Sequence, residues 1–100
     1  MQININTQGN ETEVTLIGRL DTLASQEEAA QFEALKEKAG GTVILDCSQL
    51  EYISSSGLRL FLTLRKAAAT KGGKVVIRDI SPDVRSVFMI TGFLNLIEIQ

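Results

Sequence analysis

Twice in this chain a helical pattern stops at a Gly-Gly pair and a β-branched run follows at once: Gly40-Gly41 before "TVILDC" (residues 42–47) and Gly72-Gly73 before "KVVIRDI" (residues 74–80). This punctuation constrains the fold more than any other feature. Strand, helix and strand in close succession form a right-handed parallel crossover, and two such units in tandem commit most of the chain to one sheet. "TVILDC" lacks period-two alternation, as expected of a strand covered on both faces or lying centrally.

The other elements fit around these units. "QININTQ" (2–8) and "EVTLIGRL" (13–20) alternate on either side of a Gly9-Asn10 turn signal and read as a hairpin. "SQEE" at 25–28 fits a capping box, which starts a helix at Ser25 that runs to about Lys38 with Phe32, Leu35 and Ala39 on its apolar stripe. "SQLEYISSS" (48–56) reads as a connection, and a second helix runs from about Ser56 to Lys71. Ser81-Pro82 starts a third helix that Gly92 stops, before a short strand in "NLIEIQ" (95–100). The order is β-β-α-β-α-β-α-β. The expectation is an α/β fold in a single domain over residues 1–100, a mixed sheet of about five strands with three helices mainly on one face. At 100 residues and 44% apolar content, one core containing Phe32, Leu35, Phe61, Leu64, Val84 and Phe88 is affordable.

Composition narrows the function. A net charge of −2 without a basic block argues against nucleic acid as a partner. No apolar run is long enough to span a bilayer, and the start "MQININTQ" lacks the basic and apolar regions of a signal peptide, so membrane insertion and export are not expected. There is one cysteine, Cys47, and no histidine. An internal disulfide is impossible, which fits a reducing, cytoplasmic setting. A Ser-His-Asp hydrolase is excluded, a zinc site is disfavoured, and no metal or cofactor is expected. A serine nucleophile would need a lysine base, and none of Lys36, Lys38, Lys66, Lys71 and Lys74 falls near the serines in this order of elements, so the chain reads as no enzyme. Cys47 reads as core.

The candidate site is "YISSSGL" (52–58). Ser56 falls at a helix start. It is either an N-cap or a phosphate acceptor, because free amides and the positive dipole end at a helix N-terminus welcome an anion. Gly57 would let a partner approach closely. On a helical wheel Gly57, Leu60, Phe61, Leu64, Ala67 and Ala68 form the core stripe. Leu58, Leu62, Arg65 and Ala69 fall roughly opposite, so either the helix is wedged between neighbours or Leu58 and Leu62, with Arg59 and Arg65 beside them, form a docking surface. Asp21, in "GRLD" (18–21), is either a turn carboxylate or a polar contact near Ser56, since loops after parallel strands share one edge of the sheet.

The order of elements, "GRLD", the block "VILDCSQLEYISSSGLRLFLTLRKAA" (43–68) and the closing helix and strand resemble the STAS domain family, and within it the stand-alone bacterial anti-sigma-factor antagonists. The resemblance implies a partner-switching regulator. Its unphosphorylated form binds an anti-sigma factor that is also a serine kinase of histidine-kinase-like ATPase type, phosphorylation releases it, and a serine phosphatase restores it. The family's common site is Asp-Ser-Ser/Thr-Gly. Ser54 stands here in the place of that Asp, Ser55 matches the next serine, Ser56 matches the acceptor, and Gly57 follows; Ser55 is the fallback acceptor. Asp21 matches an acidic residue near the family site, and Asp21, Ser54, Ser55, Gly57, Leu58, Arg59, Leu62 and Arg65 are the candidate partner contacts. A small module with a transient partner is expected to be a monomer. The alternative within the fold is a non-phosphorylated STAS subunit of a transport or scaffold complex.

Overall fold

The computed structural model describes residues 1–100, the side chain of Leu94 excepted. Five strands, β1 (Gln2–Gln8), β2 (Glu11–Leu20), β3 (Thr42–Ile53), β4 (Lys74–Arg78) and β5 (Glu98–Ile99), lie in the order β1-β2-β3-β4-β5. β1 and β2 are antiparallel; the other three pairings are parallel. The three helices are α1 (Thr22–Leu35), α2 (Ser55–Thr70) and α3 (Pro82–Thr91). Each follows a strand and crosses back over the sheet, so the mixed α/β architecture is as the element order implies.

All three helices pack on one face. Val14, Leu16, Val43, Leu45, Cys47, Val75 and Ile77 from the sheet join Phe32, Leu35, Phe61, Leu64, Val84 and Phe88 in one core cluster. Phe61 sits at its centre, with ring centroids 5.8 Å from Phe32 and 6.2 Å from Phe88. Each such buried side chain contributes about 1.5–3 kcal/mol. The alternate strand residues, Glu13, Thr15, Asp46 and Arg78 among them, point to the other face. There the Arg78 guanidinium lies 2.7 Å from Glu13 and 3.4 Å from Asp46.

The Gly-Gly pairs do more than stop helices. A methyl group on Gly41 would overlap the carbonyl of Asn10, and one on Gly73 would overlap the carbonyl of Ala39. The chain crosses itself at these two points, and only a residue without a side chain lets the strands start in register.

Three boundaries differ from the sequence reading. α1 starts at Thr22, not Ser25. Asp21 caps it, accepting the Ala24 amide at 2.8 Å, while Ser25 lies inside the first turn and donates its hydroxyl to the Asp21 carbonyl. Asp21 comes first after the strand and is an equally good cap, so it takes the role. α1 gives way at Leu35 to a 3-10 turn over Lys36–Lys38. β3 also runs six residues beyond "TVILDC", to Ile53. Its register on β2 slips between Thr15 and Ile17 and again between Gly18 and Arg19. At each slip β3 carries one extra residue, a bulge that shifts the inside–outside alternation. Cys47, Leu50 and Ile53 are therefore buried at intervals of three, a spacing that does not read as a strand.

Candidate functional site at the helix starts

The parallel pairing of β2 and β3 ends with Leu20 opposite Ile53. Both strands then turn into helices, so Asp21 and Ser54 stand side by side as the caps of α1 and α2. The third helix start, capped by Ser81, follows β4 on the same edge. In α/β sheets this carboxyl edge is where loops converge to bind ligands and partners.

Ser54 is tied in from every direction. Its amide donates to the Leu20 carbonyl at 2.9 Å and its hydroxyl donates to the same oxygen at 3.2 Å. The hydroxyl oxygen also accepts the Gly57 amide at 3.1 Å, and the Ser54 carbonyl accepts the first helical bond, from Leu58, at 3.0 Å. It is 8% exposed. Ser54, not Ser56, is thus the N-cap. An aspartate could accept from Gly57 but could not donate to Leu20, so the serine links the end of β2 to the start of α2 in a way a carboxylate cannot.

With Ser54 as cap, Ser55 and Ser56 become the first two residues of α2. Ser55 is exposed and Ser56 half-buried. Their amides belong to the group that a helix leaves without an internal partner, and the first turn carries no acidic residue. Arg59 is exposed one turn on. The edge therefore presents two hydroxyls, free amides and a cation within one helical turn.

Two expectations fail here. Gly57 is buried, and its close approach is internal: a methyl group there would lie 2.8 Å from Ile53 Cγ1 and 3.0 Å from Leu20 Cδ2. It lets α2 settle onto the ends of β2 and β3, not a partner onto α2. Leu58 is 1% exposed and belongs to the core, so it is no docking residue. The helix is wedged at its first turn, and its two sides are both covered there. Leu62 is half-buried, and it lies nearly two turns from the serines. Arg65 stands about 15 Å along the axis from Ser55 and lines a hollow of about 380 Å³ with Lys74 and Asn95 at the opposite edge of the sheet. Asp21, Ser54, Ser55, Ser56, Gly57 and Arg59 are brought together; Leu62 and Arg65 are not.

Sequence reasoning missed Leu23, and it placed Tyr52 in the candidate segment without its partner. Leu23, in the first turn of α1, is 65% exposed. Tyr52 pairs with Arg19 across β2 and β3, the guanidinium 4.5 Å over its ring. A leucine outside an apolar stripe, two residues after a cap, was the available signal for Leu23.

Cys47 is buried, and burial, then the neighbouring Asp46 charge, push its thiol up to about 12, so it stays neutral and unreactive. Among the described residues no group of three metal-binding side chains converges, and no helix is long and apolar enough to cross a membrane.

The STAS domain profile matches residues 2–100. This chain belongs to the STAS family. The relative named "Putative anti-sigma factor antagonist BtrV" of Bordetella bronchiseptica is 36% identical over 81 residues, 81% of this chain and 70% of that protein. Among solved structures, an anti-sigma-factor antagonist (STAS) domain protein of Planctomyces limnophilus superposes with a TM-score of 0.88 at 20% identity, covering 97% of this chain and 87% of that one. The Bacillus cell fate determinant SpoIIAA in its phosphorylated form superposes with a TM-score of 0.74 at 21% identity, covering 99% and 91%. The shared STAS fold accounts for the strand order and for the three helices on one face.

Proposed function

We propose that this STAS domain is a bacterial, cytoplasmic anti-sigma factor antagonist, a regulator without catalytic activity, and that Ser56 is its switch. Unmodified, it docks the edge that carries Asp21, Ser55, Ser56 and Arg59 onto an anti-sigma factor that is a serine kinase of histidine-kinase-like ATPase type. Phosphorylation of Ser56 releases it, and a serine phosphatase resets it. The observation that carries this reading is the division of labour among the serines. Ser54 alone does the capping, which leaves Ser56 free of a structural duty at a helix start with open amides.

The physics supports a switch that spares the fold. A phosphate on Ser56 adds about −2 charge and three acceptor oxygens where amides and the helix dipole favour an anion. The helix gains about 0.3–1 kcal/mol from the dipole. A docked partner instead has to bury a dianion, at a cost of several kcal/mol, and each ~1.4 kcal/mol is tenfold in affinity.

The test is the affinity of the cognate anti-sigma factor for unmodified protein, Ser56→Asp and Ser56→Ala, by titration calorimetry with ADP in place of ATP, so that the unmodified protein stays unmodified. Ser56→Ala binds constitutively and Ser56→Asp binds at least tenfold more weakly. Equal affinities for all three would remove the switch and favour the scaffold subunit.

A further inference from the structure

The two edges of the sheet are unlike. β5 is two residues long and carries Glu98. β1 is seven residues long, and "QININTQ" holds no charge, proline or glycine. Natural edge strands are kept from pairing by lysine, proline, bulges or shortness. β5 uses shortness and a charge; β1 uses none of these devices.

The backbone register shows which groups β1 offers. The two-residue turn Gly9-Asn10 joins Gln8 to Glu11, and Gly9 takes φ +61. Such a turn closes on a hydrogen-bonded pair. Counting back by twos, Asn6, Asn4 and Gln2 also bond inward to Glu13, Thr15 and Ile17. The N–H and C=O groups of Ile3, Ile5 and Thr7 therefore point out of the sheet.

We infer that β1 pairs antiparallel with β1 of a second copy about a twofold axis through Ile5. The sequence is nearly palindromic about that residue. The axis sets Gln2 against Gln8, Ile3 against Thr7, Asn4 against Asn6 and Ile5 against Ile5. The outward groups of Ile3, Ile5 and Thr7 then bond in reciprocal pairs, and the paired strands bring no charged residue together. The Gln and Asn side chains align on the open face, and Ile5 meets Ile5 on the helix side. Ile5, 44% exposed, also walls a groove of about 160 Å³ with Gln31, Ala34, Leu35 and Lys38, which a second copy covers at the seam. A charged extended peptide would lack this symmetry, which is why the occupant is a second copy. The contact is isologous, so it closes at a dimer. It lies on β1, two strands from β3, which leads to Ser56, and departs from the monomer expected of a transient module.

Sedimentation equilibrium from micromolar to millimolar concentration tests this. The wild-type mass rises from 10.9 kDa toward twice that value. Ile5→Lys and Ile5→Glu each stay at the monomer mass with unchanged circular dichroism, and their equimolar mixture recovers the doubled mass. In wild-type NMR spectra the amides of Ile3, Ile5 and Thr7 shift with concentration while those of Asn4 and Asn6 do not. A wild-type mass that stays at the monomer value, or a mixture that does not associate, overturns the proposal. So does concentration dependence confined to other amides.

Discussion

α1 and α2 start side by side from adjacent parallel strands, in the same register, and are built differently. α1 is capped by a carboxylate, Asp21, and shows Thr22 and an exposed Leu23; its third residue, Ala24, has room for a methyl group. α2 is capped by a hydroxyl, Ser54, and shows Ser55 and Ser56; its third residue is a glycine with no room for one. The difference teaches where function can be placed. At α1 the cap is a charge. At α2 the cap is neutral, its hydroxyl is doubly bonded and it is buried. One helix start carries a fixed charge, and the proposed switch adds a charge to its neighbour.

Removing what the two starts share has the largest effect. Phe61→Ala takes away the ring that joins α1 to α2 and α3, and should cost about 3–5 kcal/mol because Phe61 is fully buried. Urea unfolding should show a single transition at a much lower midpoint. A variant in which α1 survives while α2 melts would show that the two starts are not one unit.

The third helical residue sharpens the comparison. Gly57→Ala should destabilise by about 1–3 kcal/mol through overpacking, although alanine is the better helix former by about 1 kcal/mol. At the matching position Ala24→Gly should lose about 1 kcal/mol or less. Thermal melts of the two variants check the order. A Gly57→Ala protein more stable than wild type would mean that the ends of β2 and β3 yield freely.

The caps come next. Ser54→Ala loses the N-cap and the bond to Leu20, about 1–2 kcal/mol together. Ser54→Asp keeps the bond from Gly57 but sets a carboxylate against the Leu20 carbonyl. It should be less stable than wild type by about 1 kcal/mol. Asp21→Ser exchanges one good cap for another and should change stability by a few tenths. If Ser54→Asp proves stabilising, the link from Ser54 to Leu20 carries no weight.

The smallest effect lies on the sheet face away from both starts. Burial pushes the Asp46 carboxyl up, but the Ser48 amide and hydroxyl and the Arg78 guanidinium outweigh burial and hold it below its ordinary value. A lowered folded-state value adds stability above the unfolded value, and that stability is lost as pH falls below about 4. Asp46→Asn should flatten this acid limb in a stability–pH curve and leave the neutral region unshifted in slope.

Much of the fold was legible because its signals are local. The Gly-Gly pairs, the Gly9-Asn10 turn and the Ser81-Pro82 start each act within a few residues, and each stands where it was placed. The second half of β3 was not legible, because two bulges against β2 break the period that marks a strand, and a bulge depends on a partner strand. Ser25 and Asp21 are both good caps four residues apart, and only the end of β2 decides between them. At the site, the serine cluster and its helix start were visible. The roles within it were not: Ser54 takes the cap because Leu20, 34 residues away, supplies its second bond. Leu58 fell on the wrong side of a wheel that knows only one neighbour, while the folded chain buries Leu58 as well as Gly57 in the first turn.

The most direct measurement is to incubate the protein with its cognate kinase and ATP and to map the modified residue by mass spectrometry. The account predicts one phosphate, on Ser56, with none on Ser54 or on Thr22 at the start of α1. Phosphate on Ser55 would move the switch by one residue within the same helix start. Phosphate on Thr22, or none on any of Ser54, Ser55 and Ser56, would contradict the claim that α2 is the switched start.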